Sequence, residues 1–212
     1  MKTKYVDSFL KLNCASDILS VVSPIHNVAK EITEVYTVFR ALRKLIPPSE
    51  SDQYNLWDLC AGNGLLGVTL AHVFNFNRVG SIDIKVPNRR FSNVRNYQYI
   101  KEDIKCFVGK SFRDSDVIVA SHPCKNAKVI ADLFCRSEAK ALVLLPCCIG
   151  KLENTPQYLI DRLGKSDAWC YDLYRMIDMY SLVNIENIEV KIYRDDNCIS
   201  PRNIVITAIR EG

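Results

Sequence analysis

The chain has 212 residues, a formal charge of +4, 48% hydrophobic and 25% charged residues, and 8 each of glycine and proline. That length suits one ordinary domain, and the composition excludes collagen-like and largely disordered chains. No apolar stretch reaches the roughly 20 residues needed to cross a bilayer, and the start, MKTKYVDSFLKLNCASD, is too polar for a secretory signal. A soluble, cytoplasmic protein with no membrane partner is expected. The mild positive charge permits a polyanionic partner without demanding one. Nine cysteines, an odd number at irregular spacing and partly inside apolar runs, read as reduced thiols rather than a secreted disulfide framework.

In chain order, the first periodic segment is Ile25, Val28, Ala29, Ile32, Val35, Tyr36, Phe39, Leu42 and Ile46, the stripe of an amphipathic helix ended by Pro47-Pro48. Residues 1–48 thus form a helical arm, joined by Pro47-Pro48-Ser49-Glu50-Ser51-Asp52 to a core over 54–210, within one domain spanning 1–212. The core alternates short apolar runs with helical stretches: NLWDLC, GLLGVTLAHVF, VGSIDI, YQYIKEDI, SDVIVAS, NAKVIADLFCRSEA and ALVLLPCC. This predicts βαβ units, an α/β doubly wound sheet that is mainly parallel with helices on both faces. VIVA and ALVLL suit central strands buried on both sides. A helical region follows, from Tyr158 to Leu163 and then from Ala168 to Leu182. Strand-like runs at 188–194 and 203–209, separated by the turn formers Asp195-Asp196-Asn197 and Ser200-Pro201, predict an antiparallel end to the sheet.

The segment Leu56-Trp57-Asp58-Leu59-Cys60-Ala61-Gly62-Asn63-Gly64-Leu65-Leu66-Gly67 carries the chemistry. A strand runs into a glycine turn and then a helix, which is where a doubly wound sheet approaches a nucleotide. Asp83 closes the second strand 21 residues after Gly62, about where a carboxylate receives two ribose hydroxyls. Asp103 ends the third strand, so Asp58, Asp83 and Asp103 are expected to converge on one edge of the sheet. Gly62, Gly64 and Gly67 also match the G-x-G-x-x-G of NAD enzymes. A carboxylate at Asp58 would repel a pyrophosphate, however, and suits an ammonium.

This set resembles the class I S-adenosylmethionine-dependent methyltransferases, with Cys60 standing where their motif usually has its first glycine; the likeness runs over about 54–210. It implies that Asp58 and the turn of Cys60, Ala61, Gly62, Asn63 and Gly64 hold the methionine part of S-adenosylmethionine. Asp83 would hold the ribose and Asp103 with Ile104 the adenine, with Ile84 a further cofactor contact. The fourth strand ends in Ser121-His122-Pro123-Cys124 and the fifth in Leu145-Pro146-Cys147-Cys148. His-x-Cys after the fourth strand and Cys-Cys after the fifth are similar to a subgroup that includes tRNA ribose 2′-O-methyltransferases and methyltransferase-like proteins. Ser121 is then a further cofactor contact, and His122 and Cys124 are the catalytic candidates, His122 as a base titrating near neutrality or as a turn cap.

Cys60, Cys124, Cys147, Cys148 and His122 are soft ligands from neighbouring strand ends. The adjacent pair is poor geometry for one small ion and no C-x-x-C occurs, so burial as small apolar side chains, with no metal, is expected. Lys85-Val86-Pro87-Asn88-Arg89-Arg90-Phe91 through Tyr97 interleaves basic residues with aromatics, fitting either an RNA contact or a solvated loop. The resulting expectation is an S-adenosylmethionine-dependent methyltransferase acting on RNA, at a ribose hydroxyl. A protein substrate is the next acceptor class, and a non-catalytic interaction subunit of the same fold is the contrasting reading.

Overall fold

A computed structural model describes residues 4–107, 112–152, 155–185 and 187–211. Helices α1 (Lys4–Leu10), α2 (Ala15–Val22) and α3 (Val28–Leu45) precede β1 (Asn55–Leu59). There follow α4 (Leu65–Val73), β2 (Arg78–Asp83), β3 (Tyr97–Lys101), β4 (Asp116–Ser121), α5 (Ala127–Cys135) and β5 (Ala141–Leu145). The chain closes with α6 (Gln157–Asn184), β6 (Ile188–Arg194) and β7 (Ile204–Arg210).

The seven strands form one sheet in the order β3-β2-β1-β4-β5-β7-β6. The first five are parallel to one another, whereas β7 runs antiparallel between β5 and β6. The expected mixed, doubly wound sheet is therefore present. Its central strands have no polar face because helices cover both sides: VIVA of β4 and all of β5 are buried. Side chains alternate between two cores. Leu56, Val117, Val119, Ala141 and Val143 point toward the layer of α1 to α4, and Leu59, Ile118, Ala120, Leu142 and Leu144 toward α5 and α6.

The stripe on the N-terminal helix packs on the sheet, with Ile32, Val35, Val38, Phe39 and Leu42 buried. It starts later than its periodicity suggests: Val28 is exposed, and Asn27 before it is left-handed. Residues 4–22 add two helices whose Phe9, Ile18 and Val22 are fully buried, so the arm is a full layer of the fold. The Tyr5 hydroxyl donates to Asp195 Oδ2 at 2.7 Å, tying this layer to the β6–β7 turn. Helix α6 breaks at Gly164 (φ 77°), which accounts for its two-part sequence pattern. The third strand stops at Lys101, so Asp103 lies in the following loop and not at the strand end.

Candidate functional site

Strand order reverses between β1 and β4, and the loops leaving their carboxyl ends part there to open a crevice. Two adjoining cavities fill it and share Cys60, Gly62 and His122. One, of about 290 Å³, lies between the 60–63 turn, Ser121 and the α3 residues Lys30, Glu31 and Glu34. The other, of about 350 Å³, runs past Asp83, Ile84, Asp103 and Ile104 to Cys124 and Asn126.

The turn between them is built from left-handed backbone. Cys60, Gly62 and Gly64 have φ of 65°, 56° and 82°. Glycine takes this geometry freely, whereas Cys60, where the motif usually has glycine, adopts it at a cost of roughly 1 kcal/mol. The Ala61 amide donates to the Ile82 carbonyl at 3.0 Å and the Gly62 amide to Asp83 Oδ2 at 3.0 Å, so the bend is pinned to the tip of β2. The Tyr99 hydroxyl donates to the Gly62 carbonyl at 2.7 Å and stacks its ring on Phe91. A Cβ on Gly62 would meet nothing within 4 Å, so its free side faces open space. Asn63 links the bend to α3 by donating to the Glu31 carboxylate, while its Oδ1 accepts the Leu65 amide.

Asp83 lines the second cavity with its carboxylate oriented by two backbone amides, Gly62 on Oδ2 and Lys85 on Oδ1, each at 3.0 Å. Asp103 lines the same cavity, its Oδ1 accepting the Lys105 amide. Asp58 is placed differently. It is 1% exposed, lines neither cavity, and its Oδ2 accepts from the Gly67 amide at 3.0 Å and the Ser81 hydroxyl at 3.1 Å. Burial pushes its carboxyl up to about 7; Asp83 adds to the rise and the two hydrogen bonds oppose it. Asp58 thus braces strand β1 to helix α4 beneath the bend. Gly67 makes that brace possible, because a Cβ there would lie 2.1 Å from Ser81 Oγ.

His122, at φ 52°, closes the opposite wall. Its Nδ1 lies 3.2 Å from Glu34 Oε1 and its Nε2 3.3 Å from the Arg202 carbonyl oxygen. Glu34 also pairs with Lys30 at 2.6 Å. Burial lowers the pKa of His122, with Glu34 pulling it back up. The imidazole is therefore both a cavity wall and a tie between α3 and the 200–203 loop, which begins with the turn formers Ser200-Pro201. Cys60, His122 and Cys124 are three of the six non-glycine residues with positive φ among the described residues. Such strain concentrates where surrounding structure fixes a working geometry.

The cysteines correct an expectation. Cys124 and Cys148 are exposed and Cys60 and Cys147 half-buried, so the four are not buried apolar fillers. The Cys60 thiol accepts from Asn126 Nδ2 at 3.3 Å and burial pushes it up to about 11. Sequence reasoning missed Lys30, Glu31 and Glu34, having read α3 as a packing helix. The signal available was a pair of acids one turn apart beside an apolar stripe. The 85–97 segment is partly spent on packing: Arg89 donates to the Pro24 carbonyl at 2.7 Å and Phe91 stacks on Tyr99, leaving Lys85, Arg90 and Arg95 exposed.

Comparison with known proteins bears on this geometry. Among solved structures, magnesium protoporphyrin IX methyltransferase from Synechocystis PCC 6803, crystallised with S-adenosylhomocysteine, superposes over 100% of both chains with a TM-score of 0.52 at 10% identity. An rRNA methylase from Streptococcus thermophilus matches 84% of this chain and 97% of its own, with a TM-score of 0.51 at 13% identity. These likenesses speak to the fold alone. In sequence, the glutathione S-transferase C-terminal domain-containing proteins of Bos taurus and Homo sapiens are 28% and 27% identical over 109 and 112 residues. The match takes in 46% and 48% of this chain but only 16% of each relative. Residues 29–155 match the profile of a family described as a methyltransferase domain, a span that includes the glycine bend, Asp83, Asp103, His122 and both cysteine-bearing loops, and the chain belongs to that family.

Proposed function

We propose that the paired cavities bind S-adenosylmethionine and that the chain transfers its methyl group to RNA, at a ribose 2′-hydroxyl. The observation that carries this reading is the contact between the Gly62 amide and Asp83. It sets an amide-oriented carboxylate beside a residue shared by both cavities, as a ligand with a hydroxylated ribose between two unlike ends requires. The residues present fit such a ligand. Cys60, Ala61, Gly62, Asn63 and Ser121, with Glu31 and Glu34 opposite, face the methionine part, and the two α3 carboxylates supply the charge for its ammonium. Asp83 takes the ribose, and Ile84, Asp103 and Ile104 the adenine. Asp58 and Gly64 act from beneath, holding the bend. When bound, the cofactor supplies a methyl carbon already activated by a sulfonium.

What is left to the protein is positioning the acceptor and removing its proton. His122 is the residue for this: Glu34 faces Nδ1, which leaves Nε2 with only a long contact to Arg202 that an acceptor hydroxyl can displace. Cys124 is the weaker candidate, since burial and the neighbouring Cys148 hold its thiol above the usual range and so protonated at neutral pH. RNA as the acceptor is supported by the exposed Lys85 and Arg90 leading away from the Asp83 end, and by the His-x-Cys and Cys-Cys pattern at the strand ends. Incubation with methyl-labelled cofactor and total cellular RNA or protein tests this directly. Label in RNA that resists alkali as a 2′-O-methyl nucleotide is expected. Label in protein alone moves the acceptor class, and no transfer together with no cofactor binding favours an interaction subunit.

A further inference from the structure

One cluster at the edge of the crevice has chemistry of its own beyond this reading. Paired Ser121 and Leu145 bring β4 and β5 to the crevice side by side, so the loops that leave them emerge together. Cys124 stands on one loop and Cys147 and Cys148 on the other. Cys147 Sγ is 3.7 Å from Cys124 Sγ and 3.5 Å from Cys148 Sγ, and all three sulfurs lie within 4.8 Å of one another. Thiolates held about 2.3 Å from a tetrahedral zinc ion are about 3.8 Å apart, so these sulfurs already stand close to the corners of one coordination sphere. Cys147 and Cys148, although adjacent in sequence, turn their sulfurs to the same point, which removes the geometric objection to a vicinal pair. A disulfide needs sulfurs about 2.05 Å apart and would leave one of three thiols over.

We propose that Cys124, Cys147 and Cys148 form a binding site for one soft divalent cation, zinc in the ordinary case. The three thiols lose their protons on binding, and the ion joins the loops after β4 and β5. Among the described residues no fourth His, Cys, Asp or Glu completes the cluster. His122 turns its Nδ1 to Glu34, and the Cys60 thiol accepts from Asn126. Three thiolates leave room in a tetrahedral sphere for a fourth ligand. Cys124 also lines the cavity containing Asp83, so the cluster adjoins that cavity. The site stands independently of the cofactor reading.

The test uses the full chain purified with reductant, equilibrated with zinc and freed of loose metal, then analysed for metal content. About one zinc per chain is expected, with at least about a 100-fold loss of affinity in Cys147→Ser, given that even supporting contacts are worth 10- to 100-fold. Cys148→Ser, at an exposed position, should lose metal likewise while circular dichroism stays native, and Cys14→Ser should retain it. Cobalt in place of zinc should give strong thiolate-to-cobalt absorption in the near ultraviolet. Metal well below one equivalent, metal retained by both Cys147→Ser and Cys148→Ser, or a cobalt spectrum without thiolate character overturns the proposal.

Discussion

Replacing Asp58 by asparagine separates a bracing role from a ligand-binding one. The buried carboxyl is raised from its ordinary 3.8 to about 7, burial being the leading cause. Between those values the folded chain keeps a proton that the unfolded chain has released, so this group's contribution to stability falls as pH rises through the window and levels above it. At about 1.4 kcal/mol per pH unit, the loss amounts to roughly 4 kcal/mol by pH 7 to 8. Asparagine preserves the shape, and its Oδ1 can accept from the Gly67 amide and the Ser81 hydroxyl, but it does not titrate. The variant should therefore lack this slope, and its stability relative to the parent should grow from pH 5 to pH 8. Denaturant unfolding at unit pH intervals measures it. Glu31, also raised by burial, and His122, lowered by burial, are present in both proteins and drop out of the difference. Parallel stability curves from pH 5 to pH 8 would refute the assignment of Asp58 as a protonated brace.

Gly67→Ala should destabilise by about 2 to 4 kcal/mol, since its Cβ would press on Ser81 Oγ at 2.1 Å and on the Tyr97 ring at 2.9 Å. Combined with Ser81→Ala it should lose less than the sum of the two, because the first clash disappears; chemical denaturation of all four proteins checks this. Asp83→Ala should weaken S-adenosylmethionine binding by about 10- to 100-fold, through the loss of charged acceptors for ribose hydroxyls, as read by calorimetry. His122→Ala should reduce turnover by about 100-fold or more, a loss well beyond any change in that affinity. Unchanged turnover on the labelled substrate withdraws its role as base.

The fold was legible where burial dictated pattern. The continuous apolar runs of β4 and β5, and Ile32, Val35, Phe39 and Leu42 on α3, each marked a surface that had to be covered. The order of β7 between β5 and β6 was not legible, because pairing partners are chosen by tertiary packing and the sequence showed only two strands and a turn. In the site, the glycine bend and Asp83 stood out because φ above zero and a carboxylate at a strand end are local requirements. Asp58 was legible as a strand-tip acid, but the direction it faces depends on Gly67 and Ser81, from other elements. Glu31 and Glu34 were hidden because α3 reaches the crevice only through tertiary packing. The cysteines were misplaced because thiols suit both apolar cores and exposed loops.

The crevice around residues 60–64 is the proposed binding site for an adenosyl sulfonium. Titrating the purified chain with S-adenosylhomocysteine and S-adenosylmethionine by calorimetry tests it most directly. One-to-one binding in the micromolar range, abolished or much weakened by Asp83→Ala, is the predicted result. A correctly folded chain that binds neither compound at about 1 mM, where even a ligand worth only about 4 kcal/mol would register, contradicts it.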